Sequence, residues 1–150
     1  MSPAGKIIKH IIKTEETPAF LFLGIVSSEP DYRLSVMLNR HLGIDLRKNP
    51  EEITEGSGDK THSYSVFTTA PLTFSLISNR SMGGTLLRKL KNIDFLLQIH
   101  GIPDRKQAEK LAAFLRGIPE VTAVFLIDSS DLGDKNIAFC LLYTSDAADE

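Results

Sequence analysis

The chain has 150 residues, 42% hydrophobic and 24% charged, with a formal net charge of −2 at pH 7. That length supports one domain with a core of its own, and the composition is that of an ordinary globular protein. A single Cys excludes a disulfide scaffold, and the near-neutral balance argues against a general nucleic-acid binder, which needs excess Lys and Arg to displace counterions from phosphates.

In chain order, Lys6 to Lys13 carries too many interruptions for a secretory leader, because Lys9 and His10 break its apolar run and no small-residue cleavage site follows. No apolar run approaches transmembrane length, so no membrane partner is expected. Phe20 to Val26 is continuously apolar between Pro18 and Ser27, which predicts a strand covered on both faces. Ser28, Glu29, Pro30 and Asp31 resemble a capping box, with the Ser hydroxyl and Asp carboxylate receiving free amides at a helix start. Leu34, Met37, Leu38 and Leu42 then share a helical face, and Gly43 followed by Ile44 is a left-handed stop with its apolar contact. His41 suits the negative end of that helix dipole.

Asp45 to Thr61 carries Pro50, several acids and Gly56 and Gly58, and reads as a long linker-like loop, either a lid or a surface excursion. Tyr64 and Val66 alternate with Ser63 and Ser65, and Leu72, Phe74 and Leu76 alternate with Thr73 and Ser75. That periodicity predicts an antiparallel hairpin turning at Thr68 to Pro71. Ile93, Phe95, Leu97 and Ile99 define the core face of another strand, leaving Asp94, Leu96, Gln98 and His100 on its other face. Asp104, with Gln107 three residues on, starts a second helix whose buried stripe is Ala108, Leu111, Ala112 and Leu115, and Gly117 to Pro119 ends it. Val121 to Ile127 is apolar at both alternating sets, which predicts a last strand covered on both sides.

The order β-α-β-β-β-α-β predicts an α+β two-layer sandwich: two helices on one face of a mostly antiparallel sheet of about five strands, related to the ferredoxin-like arrangement. Chemistry is sparse. His10, His41, His62 and His100 stand far apart with no metal-ligand spacing, and no nucleophile or nucleotide-loop signature occurs, so neither metal nor cofactor is expected. Glu29 and Asp31 could pair as carboxylates, but capping accounts for them. Asn79, Arg80, Ser81 and Arg88 form the candidate ligand-binding set. Gly83 and Gly84 let backbone amides converge on an anion, and Lys89 and Lys91 lie near; the competing reading is a turn whose bases only solubilise it. Asp94, Gln98 and His100, joined by Thr73, Ser75 and Asn79, form a candidate partner surface on a sheet face without helices; alternatively that face simply meets water.

At the end of the chain, Cys140 to Glu150 resembles translated sequencing adapter: it back-translates onto the transposase end of a DNA library adapter, in a frame that Phe139 allows. Leaving it out removes no base but three acids, Asp146, Asp149 and Glu150, so the balance becomes 17 bases against 16 acids, or +1, and the lone thiol goes as well. Residues 1–139 then form the expected single domain, in a reducing, cytoplasmic setting.

Ser28 to Leu34, Leu38 to Ile44, Leu76 to Ser81 and Ile118 to Glu120 together resemble the IPExxVDY family of small uncharacterised Bacteroidetes proteins, over about residues 6–139. Ile118, Pro119 and Glu120 match its motif, whereas Ala123, Val124 and Phe125 stand where the family has Val, Asp and Tyr. The resemblance implies a bacterial, cytoplasmic protein and carries no site. The leading expectation is a non-enzymatic binding or interaction module able to form a homodimer or meet a protein partner. The alternative is an anion, nucleotide or RNA site along Asn79 to Lys91, and an enzyme would need a pocket with converging Asp31, Arg33, His100 or Arg80 side chains.

Overall fold

The computed structural model describes residues 20–57, 60–100 and 104–127; Lys6 to Lys13 and the adapter-like tail lie outside the described residues. The main sheet has six antiparallel strands. In chain order they are β1 (Phe20–Val26), β2 (Arg47–Lys48), β5 (Val66–Thr68), β6 (Phe74–Ser78), β9 (Phe95–His100) and β10 (Ala123–Ile127), arranged in space as β10-β1-β9-β6-β5-β2. Two helices, α1 (Asp31–Leu42) and α2 (Arg105–Leu115), lie against it, so the α+β sandwich stands with one strand more than expected. Two further two-stranded sheets are formed by β3 (Ile53–Ser57) with β4 (Lys60–Tyr64), and by β7 (Arg80–Ser81) with β8 (Gly84–Thr85).

The helix-facing side packs Leu23 and Ile25 of β1, Phe95 and Leu97 of β9, Leu76 of β6 and Val124 of β10 against Leu34, Leu38, Ala112 and Leu115. Of the expected helical stripes, Leu34, Leu38, Ala108, Ala112 and Leu115 are buried and Leu42 and Leu111 pack half-buried beside them, as 3.6-residue spacing dictates. Met37 is only half-buried, and Ser35, outside the stripe, is buried. Gly43 takes φ 67°, as the sequence anticipates, and its N–H bonds the Asn39 carbonyl. Asn39 also clamps the return of the chain, with its Oδ1 accepting from the Leu46 N–H and its Nδ2 donating to the Leu46 carbonyl. Asp104 accepts from the Lys106 N–H and caps α2.

The start of α1 corrects the expected capping box. Pro30 is the cap residue, its carbonyl accepts from the Arg33 and Leu34 N–H groups, and no side chain caps from that position. Proline lacks the amide that a box closes on. Ser27, one residue earlier than expected, accepts from the Glu29 N–H, while Asp31 accepts from the Tyr32 N–H.

Two further corrections concern the side of the sheet away from the helices. Asp45 to Thr61 is not a linker: it holds β2, β3 and the beginning of β4, and Ile53 is buried. That hairpin, together with Leu86, Leu87, Leu90 and Ile93, covers a second cluster made by Phe22, Val66, Ile77, Leu96 and Ile127. β9 is consequently buried on both faces, including Leu96 and Gln98 at 0% exposure. At Gly24 a Cβ would sit 2.9 Å from the side chains of both Ile93 and Ile127, so a bare position on β1 lets these two meet across it. β10 is covered less than expected, with Phe125 51% exposed. It is the outermost strand of the sheet, so it has a sheet neighbour on one side among the described residues. No helix among them is long and apolar enough to cross a membrane.

Leu97→Ala removes a fully buried side chain at the centre of the helix-facing cluster and is expected to cost about 2–5 kcal/mol in urea unfolding. Val36→Ala, on the exposed side of α1, is expected to change stability by less than about 0.5 kcal/mol in the same measurement.

Candidate functional site

The candidate set Asn79, Arg80, Ser81 and Arg88 separates in the structure into residues that build a wall and one that uses it. Asn79 is fully buried. Its Nδ2 donates to the carbonyls of Leu90 and Ile93, both at 2.9 Å, and its Oδ1 accepts from the Leu87 N–H at 2.8 Å. Every polar atom of the side chain is thus spent on backbone, so Asn79 shapes the 79–93 segment and offers nothing to a ligand. Arg80 donates from Nε to Asp94 Oδ1 at 2.5 Å and from Nη2 to the Lys91 carbonyl at 2.7 Å. Its charge is answered within the fold. Ser81 pairs with Gly84 across the β7–β8 turn, where Gly83 has φ 75°. Arg88, on the single turn of 3-10 helix Arg88–Leu90, reaches a larger cleft.

That cleft, about 880 Å³, lies between the β3–β4 hairpin and the β7–β8 turn with its following 3-10 turn. Antiparallel register places side chains that oppose one another on the same face, and side chains two residues apart on that face too. Ile53 faces Tyr64 and Glu55 faces His62, with Lys60 two residues beyond His62. One hairpin face therefore grades from core at Ile53 and Tyr64, through Glu55 and His62, to exposed Lys60 at the rim. Gly83, Gly84, Thr85, Arg88 and Lys91 make the opposite wall. Lys60, Arg88 and Lys91 give the lining three cations against the one carboxylate of Glu55.

Tyr64 forms the floor. Its side chain is 1% exposed, it lines the cleft, and among the described residues no hydrogen bond ends on its hydroxyl. The hydroxyl lies against Gly84, where a Cβ would stand 2.7 Å from it and 2.9 Å from the His62 ring, so the wall can close only on a residue without a side chain. Burial, and secondarily the Glu55 carboxylate, raise the Tyr64 pKa above 10.0, with Arg88 opposing. The phenol stays protonated at neutral pH and acts as a neutral donor. Lys60, His62, Tyr64 and Glu55 were not among the candidates from sequence, although the two-residue spacing from Lys60 to Tyr64 is a signal that could have found them.

The candidate partner surface is divided as well. Asp94 sits at the end of β9 near Ser27, whose N–H donates to Asp94 Oδ2 at 2.9 Å. His100 is at the other end of the strand, about 20 Å away at ~3.3 Å per residue, with Nε2 2.8 Å from Ser75 Oγ. Burial lowers the His100 pKa. Ser75 and Gln98, opposite one another in the β6–β9 ladder, are buried and present nothing to a partner.

The enzyme constellation assembles only in part. Asp31 and Arg80 line a smaller hollow of about 370 Å³ at the start of α1, while Arg33 pairs with Glu29 at 3.0 Å and His100 is remote. The buried Ser65 donates to Asp31 Oδ2 at 2.6 Å, which uses its only proton, so Ser78 must donate in turn to Ser65 at 2.7 Å. Among the described residues no group of three acidic, His or Cys side chains could hold a metal ion.

Asn79→Ala leaves the Leu87 amide and the Ile93 carbonyl without their side-chain partner, while the Leu90 carbonyl keeps the Ile93 N–H. At about 1–3 kcal/mol for an unsatisfied buried group, an overall loss on the order of 3 kcal/mol is expected in chemical denaturation. Asn79→Asp is expected to lose stability as well, since a carboxylate oxygen would then face two carbonyls.

The sequence matches no protein-family model and no curated protein, so the chemistry of the cleft rests on its own geometry.

Proposed function

We propose that this protein is a small non-enzymatic binding module whose ligand is anionic and sits in the cleft between the β3–β4 hairpin and the Gly83 to Lys91 wall. One observation carries the reading: a tyrosine hydroxyl with no hydrogen-bond partner among the described residues lies at the floor of a cleft rimmed by Lys60, Arg88 and Lys91. The hydroxyl borders the cleft, where a ligand oxygen would accept from it. Cations from both walls add charge-assisted hydrogen bonds, which are stronger than neutral ones. A cytoplasmic setting and kinship with the IPExxVDY proteins belong to the same reading, supported by a chain with no Cys before residue 140 and by the motif at Ile118 to Glu120.

Removing one charged donor to a bound anion costs about 1.5–3 kcal/mol, or at least tenfold in Kd. Arg88→Ala is therefore expected to weaken inorganic pyrophosphate binding by about tenfold or more in calorimetry, with binding falling as salt rises. Arg105→Ala, which removes an equal charge from the exposed side of α2, is the control and is expected to leave binding unchanged. Equal effects from the two variants would reduce the cleft to a diffuse positive surface.

A second reading, pairing of two copies through β10, is favoured by the half-exposed Phe125 on the outermost strand. Light scattering is expected to give a dimer at high concentration, converted to monomer by Phe125→Lys; a strict monomer throughout removes this reading.

A further inference from the structure

The two outer strands of the main sheet are finished differently. β2 consists of two exposed cationic residues, Arg47 and Lys48, too short and too charged to accept a neighbour. β10 is longer and apolar, with Phe125 half-exposed. Its pairing with β1 fixes which of its backbone groups face outward. In an antiparallel strand the N–H and C=O of one residue point to the same side, and successive residues alternate. The Ile25 carbonyl accepts from the Asp94 N–H on the β9 side, whereas the Val26 carbonyl accepts from the Thr122 N–H on the β10 side. Ile25 stands opposite Val124, and Leu23, two residues away, opposite Leu126. Both are therefore non-hydrogen-bonded pairs, and the backbone groups of Val124 and Leu126 point away from β1.

One of these outward groups is already taken. Arg116, exposed just beyond the end of α2, donates to the Val124 carbonyl from Nε at 3.2 Å and from Nη2 at 2.7 Å. A twofold pairing of β10 with a second β10 that sets Phe125 opposite its counterpart needs that same carbonyl. In this register Val124 of each copy faces Leu126 of the other and exchanges both backbone hydrogen bonds with it, while the two Phe125 side chains meet at the closer, non-hydrogen-bonded position. The guanidinium lies where the incoming strand would.

Resting on the β10 pairing reading above, we infer that Arg116 is a latch on this edge: two copies of the chain pair through β10 about Phe125, and each Arg116 must release the Val124 carbonyl before they do. The latch covers the edge at the point where a neighbouring strand would bond, and so confines pairing to high concentration. Contact between the two Phe125 side chains offsets the release.

Sedimentation of the full chain over a range of concentrations tests this with Arg116→Ala, Arg116→Lys and, as a charge control on the exposed side of α2, Arg105→Ala. A hydrogen bond from a charged donor changes an equilibrium constant by about tenfold or more. Arg116→Ala is therefore expected to lower the dimer Kd by at least that factor, with Arg116→Lys between it and the wild type and Arg105→Ala unchanged. Adding Phe125→Lys to Arg116→Ala should restore the monomer. Hydrogen exchange at the Leu126 amide should slow in the dimer, because its N–H then donates to the second copy. A dimer Kd in Arg116→Ala equal to or above the wild-type value would overturn the latch and leave pairing intact. An equal gain in Arg105→Ala, or a dimer that survives Phe125→Lys, would overturn it too, since charge alone or another surface would then be responsible. A wild-type monomer beside an Arg116→Ala dimer supports the latch and removes pairing by the unaltered chain. Monomers throughout end both.

Discussion

A buried side-chain amide is costly unless its donors and acceptor are used, and at Asn79 all of them are used on the backbone of the segment that follows. This constraint organises the half of the molecule that faces away from the helices. With the Leu87 amide and the Leu90 and Ile93 carbonyls satisfied, a stretch with little regular structure can lay Leu86, Leu87, Leu90 and Ile93 on the sheet. The hydrophobic cover and the wall of the cleft are thus consequences of the same three hydrogen bonds. Arg88 and Lys91 are presented outward by a segment whose other side is held inward.

The second consequence is layering. β9 runs through the middle of the sheet with its alternate side chains in two different cores, one shared with the helices and one with the hairpin and the 79–93 segment. Asp94, just before it, holds two chain segments through its carboxylate and backbone: Ser27 after β1, and the adjacent Asn79 and Arg80 after β6. The Arg80 to Asp94 pair is partly exposed, so its contribution is chiefly to direct the chain. An arginine that looks available for a ligand in sequence is in this way committed to the scaffold.

The cleft combines ingredients that are ordinary singly. Strand alternation carries one hairpin face from apolar to ionic within a few residues, which brings a phenol held in the core into line with polar groups near solvent. Burial of that phenol keeps it neutral, and the absence of a side chain at Gly84 lets the opposing wall close on it. The result is a fixed donor between one carboxylate and three cations, an arrangement suited to holding a ligand. It offers no evident nucleophile paired with a base.

Local chemistry was legible along the chain. The period of 3.6 in Leu34 to Leu42 and Ala108 to Leu115, the left-handed stop at Gly43, the Asp104 cap and the alternation through Phe74 and Phe95 each depend on residues within a few positions, so strands, helices and the α+β class could be read directly. Arg88 and the glycines beside it were legible as candidates for the same reason. The role of Asn79 was not, because a side chain that bonds backbone up to fourteen residues away leaves no periodic trace. Nor was the hairpin within Asp45 to Thr61, whose acids and glycines look like a loop until Ile53 and Tyr64 find a core to enter. The sequence by itself determined which segments are amphipathic and where they start and stop, because these are properties of neighbouring residues. Only the tertiary structure decided that the second sheet face is covered, which arginine is spent and which is offered, and that Glu55, Lys60, His62 and Tyr64 meet Arg88, because those outcomes depend on pairings between distant segments that compete for the same buried surface.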